Sequence, residues 1–171
     1  TVPVTVTAVA DVPTVSVGAG TFATEEDTTV TLTGLGGGLV DTDGSETLGF
    51  EISGVPAGAT FNGGTDLGGG VWSFTPAELA VLTFTPPLDD HGTYPMTLTS
   101  IATEGSNGDQ ATNALPFNIV VDAQADTPSL TPGASAILED ETALVGAQIV
   151  TSVTDTVPSE AITSIEITGI P

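Results

Sequence analysis

An internal repeat is the feature that most restricts what this chain can fold into. Residues 10–13 (Ala-Asp-Val-Pro) recur as residues 125–128 (Ala-Asp-Thr-Pro), a shift of 115 residues from position 11 to position 126. Further on, residues 52–56 (Ile-Ser-Gly-Val-Pro) are matched by residues 167–171 (Ile-Thr-Gly-Ile-Pro). Each unit of such a chain is one structural module. The repeat therefore predicts a complete domain of about 115 residues flanked by parts of two others.

The matches also set the expected domain boundaries. Residues 2–6 match residues 115–119, so residues 1–10 are predicted to be the last strand of a preceding repeat. Residues 11–125 form one complete repeat, and residues 126–171 form the first part of a following repeat, which is truncated. We expect the chain to be part of a longer protein, with any targeting segment elsewhere.

Short runs rich in Val, Ile, Thr and Phe alternate with clusters of Gly, Pro, Asp and Asn, a pattern typical of an all-β sandwich. Val30 and Leu32 alternate with threonines, so the period is two and one face of that strand is predicted to be buried. The size matches an immunoglobulin-like domain. Strands are predicted near residues 14–17, 28–33, 47–52, 59–61, 71–74, 81–85, 94–102 and 114–121.

Two local features refine this picture. Thr75, Pro76 and Glu78 have the spacing of a helix N-terminus with a capping box, which predicts a single helical turn connecting two strands across the sandwich. Trp72 is the only tryptophan, and we assign it to the core in preference to a ligand platform.

The charge balance predicts a cationic partner. The chain has 22 acidic residues and neither Lys nor Arg, so its formal net charge is −22. A folded domain with this charge repels itself unless metal ions or salt screen it. Nucleic acid and insertion into anionic membranes are excluded as partners, because both are bound through basic residues. The 39% hydrophobic content and mean hydropathy of +0.31 favour a packed core over an acidic disordered tail.

Catalysis has little support in the sequence. The chain has no Cys, Lys or Arg and a single His, so most nucleophile–base pairs and cationic stabilisers of a transition state are missing. The absence of Cys also excludes disulfides and thiolate metal sites. We therefore expect that the protein is not an enzyme.

Taken together, these motifs resemble the tandem cadherin-like or bacterial immunoglobulin-like repeats of giant RTX adhesins. The resemblance is carried by a Glu-Asp-Thr run, the segment Asp41–Glu46, the Ile-Ser-Gly-Val-Pro motif, Trp72 and a terminal Ala-Asp-Xaa-Pro. It implies a tandem array of antiparallel β-sandwiches in the stalk of a type I secreted surface adhesin of Gram-negative bacteria. It also implies calcium at the junctions, which makes the stalk rigid.

The resemblance suggests how the acidic residues are shared between junctions. Asp11 is expected to pair with Asp41 and Asp43 at the first junction. Glu26, Asp122 and Asp126 are expected to meet Asp155 at the second junction, where Asp155-Thr-Val-Pro replaces the Asp-Thr-Asp-Gly of the first repeat and loses one carboxylate. The alternative is that these acids only keep strand ends solvated. The complete set of predicted calcium ligands is Asp11, Glu26, Asp27, Asp41, Asp43, Asp122, Asp126, Glu139, Asp140 and Asp155.

Two further segments invite a metal-binding interpretation. The Gly- and Asp-rich segment 63–70 has some likeness to a calcium-binding nonapeptide, but it occurs once, so a flexible hairpin loop is favoured. The segment Asp89–Gly92 could bind a metal through carboxylate and imidazole, with calcium ahead of zinc, but a polar turn between strands is favoured.

The function expected from these observations is a calcium-stabilised extracellular extender repeat of a large bacterial adhesin, which spaces a ligand-binding region from the cell and contributes to biofilm formation. Its partners are the neighbouring repeats of the same chain, and a host or biofilm surface is contacted through other domains. Two alternatives remain open. One is a glycan- or peptide-binding adhesin module, and the other is a subunit of an acidic surface layer or filament.

Overall fold

The computed structural model describes residues 2–133, 149–153 and 160–168 of the 171-residue chain. Almost all of its regular structure is β-strand. In chain order the elements are β1 (Thr14–Val17), β2 (Thr21–Glu25), β3 (Val30–Thr31), β4 (Leu35–Gly38), β5 (Glu46–Ser53), β6 (Thr60–Phe61), β7 (Thr65–Gly68), β8 (Val71–Phe74), α1 (Pro76–Leu79), β9 (Thr83–Thr85), β10 (Gly92–Glu104), β11 (Gln110–Asp122), β12 (Ser129–Pro132) and β13 (Ile149–Ser152).

The first eleven strands form a sandwich, as the alternating pattern predicts. One sheet has six strands in the order β2-β11-β10-β5-β8-β7, the other has three in the order β3-β9-β6, and β1 pairs with β4. Neighbouring strands in the six-stranded sheet are antiparallel, except that β2 runs parallel to β11. The all-β sandwich fold expected from the sequence is confirmed.

The core lies between the two sheets and is almost entirely apolar. Phe61 is its aromatic centre, with its ring centroid 5.2 to 5.5 Å from those of Phe74, Trp72 and Phe84 in edge-to-face geometry. Leu32 is buried and Val30 packs against the core, as their alternation with threonine predicts. Trp72 is only partly buried: it packs on the core and also lines a surface cavity.

The single helical turn connects the two sheets, because α1 lies between β8 of the larger sheet and β9 of the smaller one. The predicted capping box is present. The Glu78 main-chain N–H donates to the Thr75 hydroxyl (3.3 Å), and the Thr75 main-chain N–H donates to Glu78 Oε2 (2.8 Å). The Glu78 carboxylate accepts bonds from the Thr75 main-chain N–H, the Thr75 hydroxyl and the Gly64 main-chain N–H, and these hold the pKa of Glu78 below its usual value because they favour the charged form.

Three strands escaped the sequence prediction: β2, β4 and β7. The sequence Leu-Gly-Gly-Gly of β4 lacks the β-branched residues that mark a strand. Glycine is needed there, since a Cβ on Gly37 would lie 2.2 Å from the Thr14 carbonyl oxygen of the paired strand. The hairpin expected over residues 63–70 is present, since β7 and β8 pair antiparallel and are joined by residues 69–70, but residues 65–68 form an edge strand instead of a flexible loop.

The described part of residues 126–168 repeats features of the first domain. Strand β12 pairs antiparallel with β13, with Ser129 opposite Ser152. In the first domain β1 pairs in the same way with β4, with Thr14 opposite Gly38. These two pairs of residues are related by shifts of 115 and 114 residues, in agreement with the sequence repeat.

Candidate metal centres

At the end of the sandwich where the chain enters, the linker is fixed by acidic side chains. The Asp11 main-chain N–H donates to Glu46 Oε1 at 2.6 Å, and the Ala10 N–H donates to Asp109 Oδ2 at 3.0 Å. The Asn107 side-chain amide donates to the Ala8 carbonyl at 2.7 Å. We call Asp11, Glu46, Glu104 and Asp109 the entry cluster.

Two members of the entry cluster face each other from neighbouring strands. Glu46 on β5 and Glu104 on β10 are direct partners in the antiparallel register, and they are 7% and 4% exposed. Like charges directly opposite each other destabilise a sheet. Oε2 of Glu46 is buried and has no hydrogen-bond partner. This oxygen has therefore lost its hydration without gaining a hydrogen bond from the protein.

At the opposite end, where the chain leaves the sandwich, a second group of acids meets the outgoing linker. Asp27, Asp89 and Asp126 each place one carboxylate oxygen within 4.8 Å of the others. Beside them Glu26, which is 4% exposed, accepts a hydrogen bond from the Gln124 main-chain N–H through Oε1 and has a buried Oε2 without a partner. We call Glu26, Asp27, Asp89 and Asp126 the exit cluster.

The backbone brings two of these acids together in an unusual conformation. Asp27 and Asp89 have φ of 56° and 50°, a left-handed region that residues other than glycine seldom adopt. The Asp89 main-chain N–H donates to Asp27 Oδ1 at 3.0 Å, which links the turn after β2 to the loop before β10. Asp and Asn are the residues best suited to this conformation.

The linker bond of the entry cluster recurs in the following unit. The Asp126 main-chain N–H donates to Glu160 Oε1, as that of Asp11 does to Glu46 Oε1. In both places Oε2 of the glutamate is buried without a hydrogen-bond partner. Asp126 therefore belongs to the exit cluster through its carboxylate and to this second linker bond through its backbone.

The chemistry of these clusters fits a hard divalent cation. The side-chain atoms that could act as metal ligands are carboxylate oxygens, which calcium prefers and binds at 2.3–2.6 Å. Zinc prefers imidazole and thiolate, and the chain has one His and no Cys. The buried free oxygens of Glu26, Glu46 and Glu160 are the atoms that a bound cation would satisfy.

Asp41 and Asp43, the ligands expected beside Asp11, lie in the turn before β5. Asp41 Oδ1 accepts the Asp43 main-chain N–H at 2.9 Å, and Asp43 Oδ1 accepts that of Ser45 at 2.8 Å, so both carboxylates shape the turn that leads into β5. The bonds from Ser45 lower the pKa of Asp43. In the described part of the chain, only Asp27, Asp89 and Asp126 form a group of three acids that place carboxylate oxygens within 4.8 Å of one another. Neither Asp11 with Asp41 and Asp43 nor the entry cluster meets this spacing.

The remaining predicted ligands are distributed as follows. Asp122 is exposed and contributes its main-chain carbonyl, which accepts the Glu26 N–H at 2.9 Å. Glu139, Asp140 and Asp155 lie outside the described residues.

Sequence reasoning missed Glu46, Glu104, Asp109 and Glu160, and it favoured a plain turn at Asp89. A signal for the first two was available. Glu46 is in phase with Phe50 and Ile52 on β5, and Glu104 is in phase with Leu98 on β10, so both acids occupy inward positions of a strand. An acidic residue in an inward position indicates a partner that the sequence does not supply.

A scan of the chain against protein-family models finds no match, and searches of curated proteins and of solved structures find none either. The part of the chain that the structure describes contains no helix long and apolar enough to cross a membrane.

Proposed function

We propose that this chain is part of the stalk of a large extracellular bacterial adhesin, in which calcium at the repeat junctions holds consecutive β-sandwiches in a fixed orientation. The observation that carries the proposal is the repeated linker bond. Asp11 and Asp126 donate to Glu46 and Glu160, and each glutamate keeps a buried oxygen without a partner. In this proposal the free oxygens are calcium ligands.

The exit cluster supports calcium as a coupling element between units. Asp27 and Asp89 belong to the sandwich, whereas Asp126 begins the following unit. An ion bound by all three would oppose bending of the linker, because a change in angle would break coordination bonds. The net charge of −22 also supports calcium binding, because bound calcium would reduce the repulsion among the acidic side chains.

In this proposal the chain lies outside the cell, where calcium sites of modest affinity are filled. Extracellular calcium modules bind with Kd of about 10⁻⁴ to 10⁻³ M, and binding adds RT ln(1 + [L]/Kd) to the stability of the folded state. Sites of this strength fill where free calcium is millimolar. The partners in this proposal are the neighbouring repeats, and a host or biofilm surface is contacted through other domains.

Thermal unfolding at constant ionic strength tests this proposal against a salt-tuned surface-layer subunit. The full chain is unfolded in chelator, in CaCl₂ and in NaCl. The stalk proposal predicts that calcium raises Tm by several degrees at a concentration where sodium has no effect. A rise that depends on ionic strength alone would favour the surface-layer alternative and contradict the calcium junction.

A further inference from the structure

A cavity whose lining includes no residue of the entry or exit cluster opens beside β7, the edge strand of the six-stranded sheet. Its volume is about 410 Å³. The loop of residues 55–59 forms one side, the glycine hairpin of residues 68–70 forms the other, and Asp66 and Trp72 complete the lining. We call this cavity the Trp72–Asp66 pocket.

The sheet places the two side chains of this pocket on the same face. Asp66 and Trp72 are direct partners between β7 and β8, and Ile52 is the partner of Trp72 on β5. Residues opposite each other project to the same side of a sheet. The row therefore runs from buried Ile52 through partly buried Trp72 to exposed Asp66, where the larger sheet extends beyond the core.

The pocket combines an indole ring with a fixed carboxylate. Asp66 Oδ1 accepts the Gly68 main-chain N–H at 2.8 Å, which orients the carboxylate. The Phe61 ring packs at 71° to Trp72 with centroids 5.4 Å apart, so the indole is anchored to the core. An anchored aromatic ring beside a carboxylate is a suitable arrangement for an organic cation, which is attracted by both groups.

The charge of the whole chain favours the same class of ligand. The chain has 22 acidic residues, one His, and no Lys or Arg side chain that could neutralise Asp66. Its field attracts cationic groups and repels anionic ones. Anionic ligands such as sialylated glycans and phosphopeptides are therefore disfavoured at this pocket.

We propose that the Trp72–Asp66 pocket binds a lysine or arginine side chain presented by a basic protein partner. The cationic group lies against the indole and pairs with the Asp66 carboxylate. None of the residues that line the pocket belongs to the entry or exit cluster, so this binding goes beyond the stalk function and does not require it.

The single tryptophan provides the assay. The full chain is titrated in saturating CaCl₂ at constant ionic strength with N-acetyl-lysine methylamide, N-acetyl-arginine methylamide, spermidine and maltotriose, while tryptophan emission is recorded. The two capped amino acids are expected to give a saturable change in emission. Asp66→Asn retains an Oδ1 acceptor for Gly68, and it is expected to weaken their binding roughly threefold or more.

Glu51→Gln is the matched control, since it also removes one negative charge. Glu51 is on β5, which β8 separates from the β7 strand of Asp66. Glu51 is in register with Ser73, and both are out of phase with the inward residues Ile52 and Trp72, so Glu51 lies on the opposite face of the sheet. The proposal predicts unchanged binding in this variant. The proposal would be overturned by an equal loss of binding affinity in both variants, or by no emission change with either capped amino acid. It would also be overturned if spermidine bound more tightly than the capped amino acids. A response to maltotriose alone that persists in Asp66→Asn would contradict it as well.

Discussion

Glu104 lies directly opposite Glu46 across β5 and β10, and both side chains are more than nine-tenths buried in a chain without Lys or Arg. Main-chain N–H groups reach one oxygen of each: that of Asp11 donates to Glu46 and that of Ser106 donates to Glu104. These bonds compensate part of the charge, and Oε2 of Glu46 remains without a partner. A bound cation or a neutralising substitution would relieve the repulsion between the two carboxylates.

Glu46→Gln is expected to change stability in opposite directions with and without calcium. In chelator the variant is more stable than the wild type by about 1 kcal/mol, since one of two opposed charges is gone. In CaCl₂ it is less stable, because a calcium ligand is lost. Glu51→Gln, on the outer face of the same strand, should change stability little in either buffer. Thermal unfolding of all three proteins checks this, and a Glu46→Gln effect of the same sign in both buffers would contradict the entry cluster as a cation site.

Asp27→Asn tests the exit cluster without disturbing its backbone. Asn tolerates the left-handed conformation at φ 56° and can still accept the Asp89 N–H, so the change removes mainly the charge. Calcium binding at this cluster is expected to weaken about tenfold. Glu25→Gln is the control, because Glu25 is an exposed acid at the end of β2 that does not belong to the exit cluster. Calcium titration followed by amide NMR shifts of residues 26–28 and 122–126 measures the affinity, and equal affinities in the two variants would remove Asp27 from the site.

Gly64 and Gly68 separate a steric clash from backbone strain. Their φ values are 83° and 84°, so alanine at either position carries a similar strain of about 1–2 kcal/mol. A Cβ at Gly64 would lie 2.4 Å from Cε1 of Phe74, whereas a Cβ at Gly68 meets nothing within 4 Å. Gly64→Ala is therefore expected to destabilise the fold by about 1–3 kcal/mol more than Gly68→Ala. Urea unfolding gives the comparison, and equal losses would show that the backbone at Gly64 does not lie against the Phe74 ring.

Alkaline pH should destabilise the protein through one side chain. Burial, followed by the nearby Asp90 carboxylate, raises the pKa of Tyr94 to about 12 from 10.0. The folded state therefore holds the phenolic proton more tightly than the unfolded state, so this contribution to stability is present below pH 10 and is lost as the pH rises towards 12. The chain has one Tyr and no Lys or Cys, so few other groups titrate in this range.

Tyr94→Phe provides the control for the alkaline effect. Melting temperatures between pH 9 and pH 12 are expected to fall in the wild type and to remain nearly constant in the variant. Parallel curves for the two proteins would show that Tyr94 does not cause the loss.

Much of the sandwich was predictable because its strands obey simple rules. Residues 14–17 and 71–74 were predicted as strands and correspond to β1 and β8. The helical turn followed from Thr75, Pro76 and Glu78, a local pattern in which the capping bonds need only neighbouring residues. Strand β4 could not be recognised, because the glycine at position 37 is required by a close approach to Thr14 and not by strand propensity. Strand β7 has four residues (Thr-Asp-Leu-Gly), of which only the first is β-branched.

The candidate metal centres were predictable only in part. Acidic segments at domain edges indicate cation binding in general, and Asp11, Glu26, Asp27 and Asp126 do lie in the two clusters or at their linker bonds. Which other acids join them depends on strand register, which places Glu104 opposite Glu46, and on loop conformation, which brings Asp89 to Asp27. Neither can be obtained from the spacing of acids along the sequence.

The most direct measurement is calorimetric titration of the chelator-treated 171-residue chain with CaCl₂ at constant ionic strength, beside Glu46→Gln and Asp27→Asn. Calcium at both clusters predicts saturable binding of at least two ions by the wild type, and each variant should lose or weaken binding at its own cluster while the other site remains. Heats equal to those of dilution, or binding that neither substitution alters, would contradict the assignment of the entry and exit clusters as calcium sites.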